Sequence, residues 1–201
     1  MSGAYVGPYP AVAQYGDMDM EPFEAYYARW PAGLDSIPKM VVRDWIHRHW
    51  RCFSDRWIDL APHTWRFELT PFTNAQILAI DHVGSWITDL DAEGVEYVGD
   101  YPRAHTRLGR FMLVQGTFPG PIIVARNAGH LEMPRGGGQR MKTPLQLIEG
   151  HARLACLRGM IQVDHPNLRP MHDVWLATIP EGAADTRTSL TGSEATDERT
   201  T

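Results

Sequence analysis

Within five residues, Glu149-Gly150-His151-Ala152-Arg153 brings together a carboxylate, a glycine, an imidazole and a guanidinium. The stretch follows an apolar run with strand character, Leu145 to Ile148, and precedes a helical pattern carrying Leu154, Leu157 and Arg158. A glycine at a strand-to-helix junction lets the backbone come close to a ligand. The first helical N–H groups beyond it have no intrahelical partners and carry the positive end of the helix dipole. This chemistry suits an anion. Arg153, in the first turn, has the geometry to grip a phosphate bidentately, and His151 can donate, accept or transfer a proton. Glu149 is a candidate for metal or proton transfer. The competing reading is a plain α/β junction, with His151 and Arg153 as its polar rim.

The elements that must position this turn can be read on either side of it. Residues 1–20 carry Gly, Pro, Ala and scattered Tyr with no period, which predicts a flexible arm whose tyrosines dock in part. Glu21 to Trp30 reads as a short helix. Pro38 to Leu60 gives the strongest helical signal: Val41, Val42, Trp45, Ile46, His49, Trp50, Phe53 and Trp57 fall on one stripe. Arg43, His47, Arg48, Arg51, Asp55 and Arg56 fall on the opposite face. Trp65 to Leu69 predicts a short strand, and Thr73 caps a helix from Asn74 to about Val83. Glu93-Gly94 reads as a turn, with a boundary there between a mainly helical region, 21–94, and a second domain, 95–180. In that domain Val95 to Val98 predicts a strand, Arg103 to Gln115 a helix, Ile122 to Ala125 a buried strand, and His172 to Ile179 a last strand. Asn127 to Lys142, with Gly136-Gly137-Gly138 and Arg126, Arg135, Arg140 and Lys142, reads as a long connection able to cover a ligand. Residues 181–201 are too poor in apolar side chains to fold and predict a disordered tail.

Composition sets the broad class. The 201 residues carry a formal net charge of −5. Residues 1–37 hold five acids against one arginine, and residues 181–201 five acids against two, which leaves the middle at +2. A mildly basic body with acidic ends lacks the concentrated basic face that nucleic-acid binding requires, yet suits a small anion. With no apolar run of spanning length and no signal-peptide pattern, the expectation is a cytoplasmic protein without a membrane partner. Cys52 and Cys156, far apart in helical patterns, read as small core residues, and no metal-ligand set is assigned.

Pro121-Ile122-Ile123-Val124, the strand at Leu145 to Ile148 and the Glu149-to-Arg158 stretch together resemble the ParB/sulfiredoxin fold, the ParB-like nuclease domain. The likeness covers about Val95 to Ile179. It implies an α+β fold, a small mixed sheet with helices preceded by an α-helical region, in which the glycine turn binds nucleotide phosphates. Partition ParB proteins carry Gly-Glu-Arg-Arg-x-Arg-Ala at this turn, and Gly150 and Arg153 match its glycine and second arginine. His151, Ala152 and Ala155 replace its other residues, so ParB-type CTP switching is not implied. Sulfiredoxins carry Gly-Cys-His-Arg; His151 stands where their cysteine acts, which removes sulfinic-acid reduction. The turn is most similar to the Gly-His-x-Arg members, which include ParB-like free serine kinases. There, an acidic residue near the first strand helps activate a hydroxyl.

The resemblance implies a nucleotide- or phosphate-binding protein, a phosphotransferase or a nuclease-like phosphohydrolase. Its cofactor would be ATP, ADP or CTP with Mg²⁺. His151, Glu149 and Asp100 are the catalytic candidates; Gly150, His151, Arg153 and Arg103 are the candidates for holding the nucleotide. The alternative is a DNA-associated or protein-interaction adaptor without catalysis, using the aromatic N-terminal helices and the basic residues of Pro38 to Arg56 and Arg126 to Lys142.

Overall fold

The computed structural model describes residues 8–133 and 138–180. Five segments form one mixed sheet: β1 (Arg66–Thr73), β2 (Ile80–Asp81), β3 (Ile122–Arg126), β4 (Leu145–Glu149) and β5 (Met171–Thr178). Their spatial order is β1-β5-β3-β4-β2. β1 is antiparallel to β5 and β3 to β4, whereas β3 runs parallel to β5 and β2 parallel to β4. The fold is α+β, as the resemblance implies.

Alternation along the strands divides the core between the two faces of the sheet. Ile122, Val124, Leu147, Val174 and Leu176 point to one face, and Ile123, Ala125, Ile148 and Ala177 to the other. The second face is covered by the N-terminal region: α1 (Phe23–Ala28), α2 (Lys39–Val41), which continues as a π-helical turn over Val42–His47, and α3 (Trp50–Arg56). Trp45 is the hub here, edge-on to Phe53 at 5.0 Å and to Trp57 at 5.5 Å. Such pairs contribute about 0.5–1.5 kcal/mol each beyond their buried area. The first face carries α4 (Asn74–Leu78), α5 (Trp86–Val98), α6 (Arg107–Gln115) and α7 (His151–Gln162). From Leu154 to Met160 every residue of α7 is buried, making it the central helix.

Several expectations are corrected. Val95 to Val98 is not a strand but the last turn of α5, because Leu90, Gly94 and Tyr97 bury one helical stripe. Gly94 is no turn or boundary. A Cβ there would lie 2.6 Å from the Ala155 carbonyl oxygen, and one on Gly159 would strike the Gly94 backbone, so this glycine pair lets α5 and α7 cross in close contact. The sheet itself draws β1 and β2 from before Gly94, so 21–94 and 95–180 share one sheet. The arm docks in part, as its tyrosines suggest: Tyr9 and Val12 are core residues, and the Tyr9 hydroxyl accepts from the His63 N–H at 2.8 Å, whereas Met18 is fully exposed. The single helix expected from Pro38 is interrupted by its π-helical turn and by His49, at φ −120°, ψ 35°. This shift buries His47, whose Nε2–H donates to the Glu21 carbonyl at 2.8 Å. The expected tail, 181–201, and the first seven residues lie outside the described residues. Among the described residues no helix is long and apolar enough to cross a membrane.

Candidate functional site

A cavity of about 800 Å³ opens at the N-terminus of α7. One wall is the turn itself, Glu149 to Arg153; the wall facing it comes from the π-helical turn, α3 and the two residues between them, which supply Arg43, Asp44, Arg48, His49, Cys52 and Arg56. His82, Val83 and Trp86, between β2 and α5, close a third side. The lining thus holds four arginines against two carboxylates, a surplus of two positive charges in a chain of formal net charge −5. Its volume falls in the range of small-molecule sites.

Gly150 makes the turn. At φ 107°, ψ 31° it stands just before α7, in a conformation that a Cβ resists, and no side chain caps the helix. The first N–H groups of α7 therefore face the cavity end without a side-chain acceptor. Arg153 reaches the site but serves its wall. Its Nη1 donates to the Gly120 and Pro121 carbonyls at 2.8 and 3.0 Å, and its Nη2 lies 3.6 Å from Glu149 Oε1. The bidentate phosphate grip expected of Arg153 gives way to a clamp between the turn and the segment before β3. Arg48 and Arg56, solvent-exposed as the sequence pattern suggests, also line the cavity.

Glu149 Oε1 is also 3.4 Å from His49 Nε2. Burial works to raise the Glu149 pKa, but the His49 hydrogen bond and the charges of His49 and Arg153 outweigh it and hold the carboxyl below its usual range. His151 Nε2 lies 3.0 Å from His82 Nε2, and the two rings are 5.0 Å apart. Burial first, then the neighbouring His82, pushes His151 down to about 4, and burial lowers His82 as well. Both rings are therefore neutral at pH 7. Trp86 stacks on His82, with centroids 5.3 Å apart, and meets His151 edge-on at 5.9 Å.

Asp100 and Arg103 are not part of the site. Asp100 is fully exposed, 3.7 Å from His105, and Arg103 is paired with Glu93 and Glu96. The reason is the misread strand: α5 starts at the cavity with Trp86 and carries the chain about 18 Å to Val98. The strand ahead of the helices is β2, and its parallel register with β4, Asp81 beside Gln146, brings His82 to the end of the sheet where the turn lies. A two-residue strand leaves no readable period, which is why His82 went unnoticed. Cys52 is likewise no core residue; its exposed side chain lines the cavity, and partial burial raises the thiol pKa. Of the basic connection, Met133 and Gln139 reach the lining, whereas Arg126, Arg140 and Lys142 do not; Arg135 lies outside the described residues. Among the described residues no group of three or more His, Cys, Asp or Glu side chains is arranged to hold a metal ion.

No protein-family model, curated protein or solved structure matches this chain.

Proposed function

We propose that this chain binds a phosphate-bearing ligand of the nucleotide class at the N-terminus of α7, as a ParB-like phosphotransferase or phosphohydrolase. The observation that carries this reading is the lining: four arginines and an uncapped helix N-terminus around one open cavity. Phosphate oxygens would take the free N–H groups of α7 and the guanidiniums of Arg48 and Arg56. Arg153 would hold Glu149 and the Gly120-Pro121 segment in place. Trp86, 51% exposed with one face on His82, offers its other face to a base, a contact worth about 1–3 kcal/mol. Asp44 and Glu149 are the carboxylates of the lining, and each already faces an arginine. The cavity thus has no dedicated Mg²⁺ cage, and Mg²⁺ would enter with the phosphates it neutralises. Positioning and charge stabilisation supply most of phosphoryl-transfer catalysis, and this lining is built for both.

The ParB-like order also gains support from β2. It supplies a strand ahead of the helices, followed by β3, its antiparallel partner β4 and the glycine turn. Arg43, Arg48 and Arg56 are solvent-exposed, yet all three line the same cavity, where they can converge on a small anion rather than track a duplex backbone. The test is calorimetry with ATP, ADP, CTP, GTP and inorganic pyrophosphate, each with Mg²⁺, on the wild type and on an Arg48→Gln/Arg56→Gln variant. Binding to the wild type, weakened roughly 10-fold or more in the variant and by added salt, is expected. Failure of all five ligands to bind the wild type would overturn the reading.

A further inference from the structure

The contacts of His82 and His151 decide where their protons sit. The Nδ1 of His82 lies 3.3 Å from the Val83 carbonyl oxygen. A carbonyl only accepts, so Nδ1 carries the hydrogen and Nε2 of the neutral ring is left with its lone pair. That lone pair faces His151 Nε2 at 3.0 Å, so His151 Nε2 must be the donor. His151 is then the Nε2–H tautomer, and its Nδ1 holds the free lone pair. No protein group among the described residues is hydrogen-bonded to His151 Nδ1. Because no fully buried side-chain nitrogen lacks a partner, Nδ1 is the nitrogen open to the cavity.

We propose that His82 is a positioning residue that holds His151 in the Nε2–H form, presenting Nδ1 to the cavity as the proton acceptor for a hydroxyl-bearing second ligand, an alcohol or water. The inference rests on the phosphate reading only for what else occupies the cavity. In the step, the ligand O–H bond breaks and an N–H bond forms at Nδ1. The electron pair stays on the oxygen, and the imidazolium keeps donating through Nε2 to His82. Arranged this way, Val83, His82 and His151 form a relay in which each group fixes the proton of the next. Trp86 holds both rings in register, stacked on one and edge-on to the other.

The charged and titratable groups bearing on His151 come from every side of the cavity: Glu149 on β4 favours the protonated ring, while His82, His49 and Arg56 oppose it. Burial adds to the opposition, so at neutral pH the ring is unprotonated and able to accept. A phosphate bound beside it would raise its affinity for the proton.

The experiment is nitrogen-15 NMR of the imidazoles in full-length protein, for the wild type, His82→Gln and His82→Leu, together with pyrophosphate calorimetry on the same samples. In the wild type the expected pattern for His151 is an unprotonated Nδ1 and a protonated Nε2, with acid adding the proton at Nδ1. Gln keeps an acceptor for Nε2–H, so His82→Gln should retain that pattern. Leucine offers none, so His82→Leu should shift the Nδ1 signal toward the average of the two tautomers. An Nδ1–H wild type would overturn the proposal without any variant. So would a tautomer unchanged in His82→Leu, or stoichiometric zinc moving both Nε2 signals, which would make the pair a metal site. Pyrophosphate binding is read separately, so its absence counts against the phosphate reading and leaves the tautomer result to stand by itself.

Discussion

Gly150→Ala tests the turn on which the site depends, and its cost can be worked from two independent features. The first is backbone: at φ 107° an L-residue occupies sparsely populated space, costing about 1–3 kcal/mol. The second is steric. The new Cβ would sit 2.5 Å from Ile122 Cγ2 and 2.9 Å from Ile122 Cβ, in a strand whose side chain is fully buried. Overpacking of this kind costs about 1–3 kcal/mol, giving roughly 2–6 kcal/mol in all, a large share of an ordinary 5–15 kcal/mol. The two parts separate in a double-mutant cycle. Ile122→Ala removes Cγ2 and costs about 2–5 kcal/mol alone by leaving a cavity. In Gly150→Ala/Ile122→Ala the new methyl partly fills that space, so the double variant should be more stable than the sum of the singles by about 1–3 kcal/mol. Urea unfolding followed by tryptophan fluorescence reads all three. A Gly150→Ala variant within about 0.5 kcal/mol of wild type would refute the left-handed turn. An additive cycle would refute the contact with Ile122. The surviving backbone strain should still displace the first N–H groups of α7, so pyrophosphate affinity should fall even in the double variant.

Two further outcomes follow from buried charge. Arg158 donates to both oxygens of Asp91, at 2.7 and 2.9 Å, and to the Leu78 carbonyl at 2.8 Å, tying α7 to α5 and to the entry of β2. Arg158→Met leaves Asp91 uncompensated and should cost about 3 kcal/mol, the low end for a broken buried pair because Asp91 is partly exposed; a loss under about 1 kcal/mol in urea unfolding would show the pair to be ornamental. Acid should also weaken the fold. His172, hydrogen-bonded to Thr117 and Asn74, is pushed by burial down to about 4, as is His151. The unfolded chain then binds protons that the folded chain refuses, so this stability is complete above the ordinary value of 6.5 and is lost as pH falls toward 4. Urea midpoints at pH 7, 5.5 and 4.5 should fall steadily, and less steeply in His172→Gln. A midpoint independent of pH over this range would contradict the buried neutral rings.

How much of this was legible depends on the length of the element. The strands expected at Ile122 to Ala125, Leu145 to Ile148 and His172 to Ile179 agree with β3, β4 and β5 to within one residue, because β-branched and apolar runs sit between clear breakers. The Thr73 cap was readable too, and its hydroxyl accepts from the Gln76 N–H as a capping box. The stretch from Trp86 to Val98 was not. Its Glu93-Gly94 pair mimics a turn, and only contact with Gly159, 65 positions later, shows that the glycine serves helix crossing. In the aromatic helix, Trp45, Phe53 and Trp57 were correctly placed in the core, but the π-helical turn is a tertiary accommodation that no period announces.

For the site, that same π-helical turn and the short β2 strand decide which residues meet. Local spacing singled out Glu149, Gly150, His151 and Arg153, which all line the cavity, because a strand-to-helix turn is a local object. The rest of the lining is topological. β2 earns its place through two register pairs with β4, and that pairing places His82, rather than the catalytic candidate Asp100, opposite His151. The change is chemical as well as positional. An aspartate opposite His151 would hold it protonated, whereas a second neutral imidazole, its own proton fixed by the Val83 carbonyl, leaves His151 able to accept one. The aromatic N-terminal region belongs to the same argument. Had it been a separate module, the turn would lack its facing wall, with Arg153 as its nearest cation; packed on the sheet, it adds Arg43, Arg48 and Arg56 and forms one wall of the cavity. The residues with the least local signal thus supply three of the four arginines of the lining and the imidazole that faces His151.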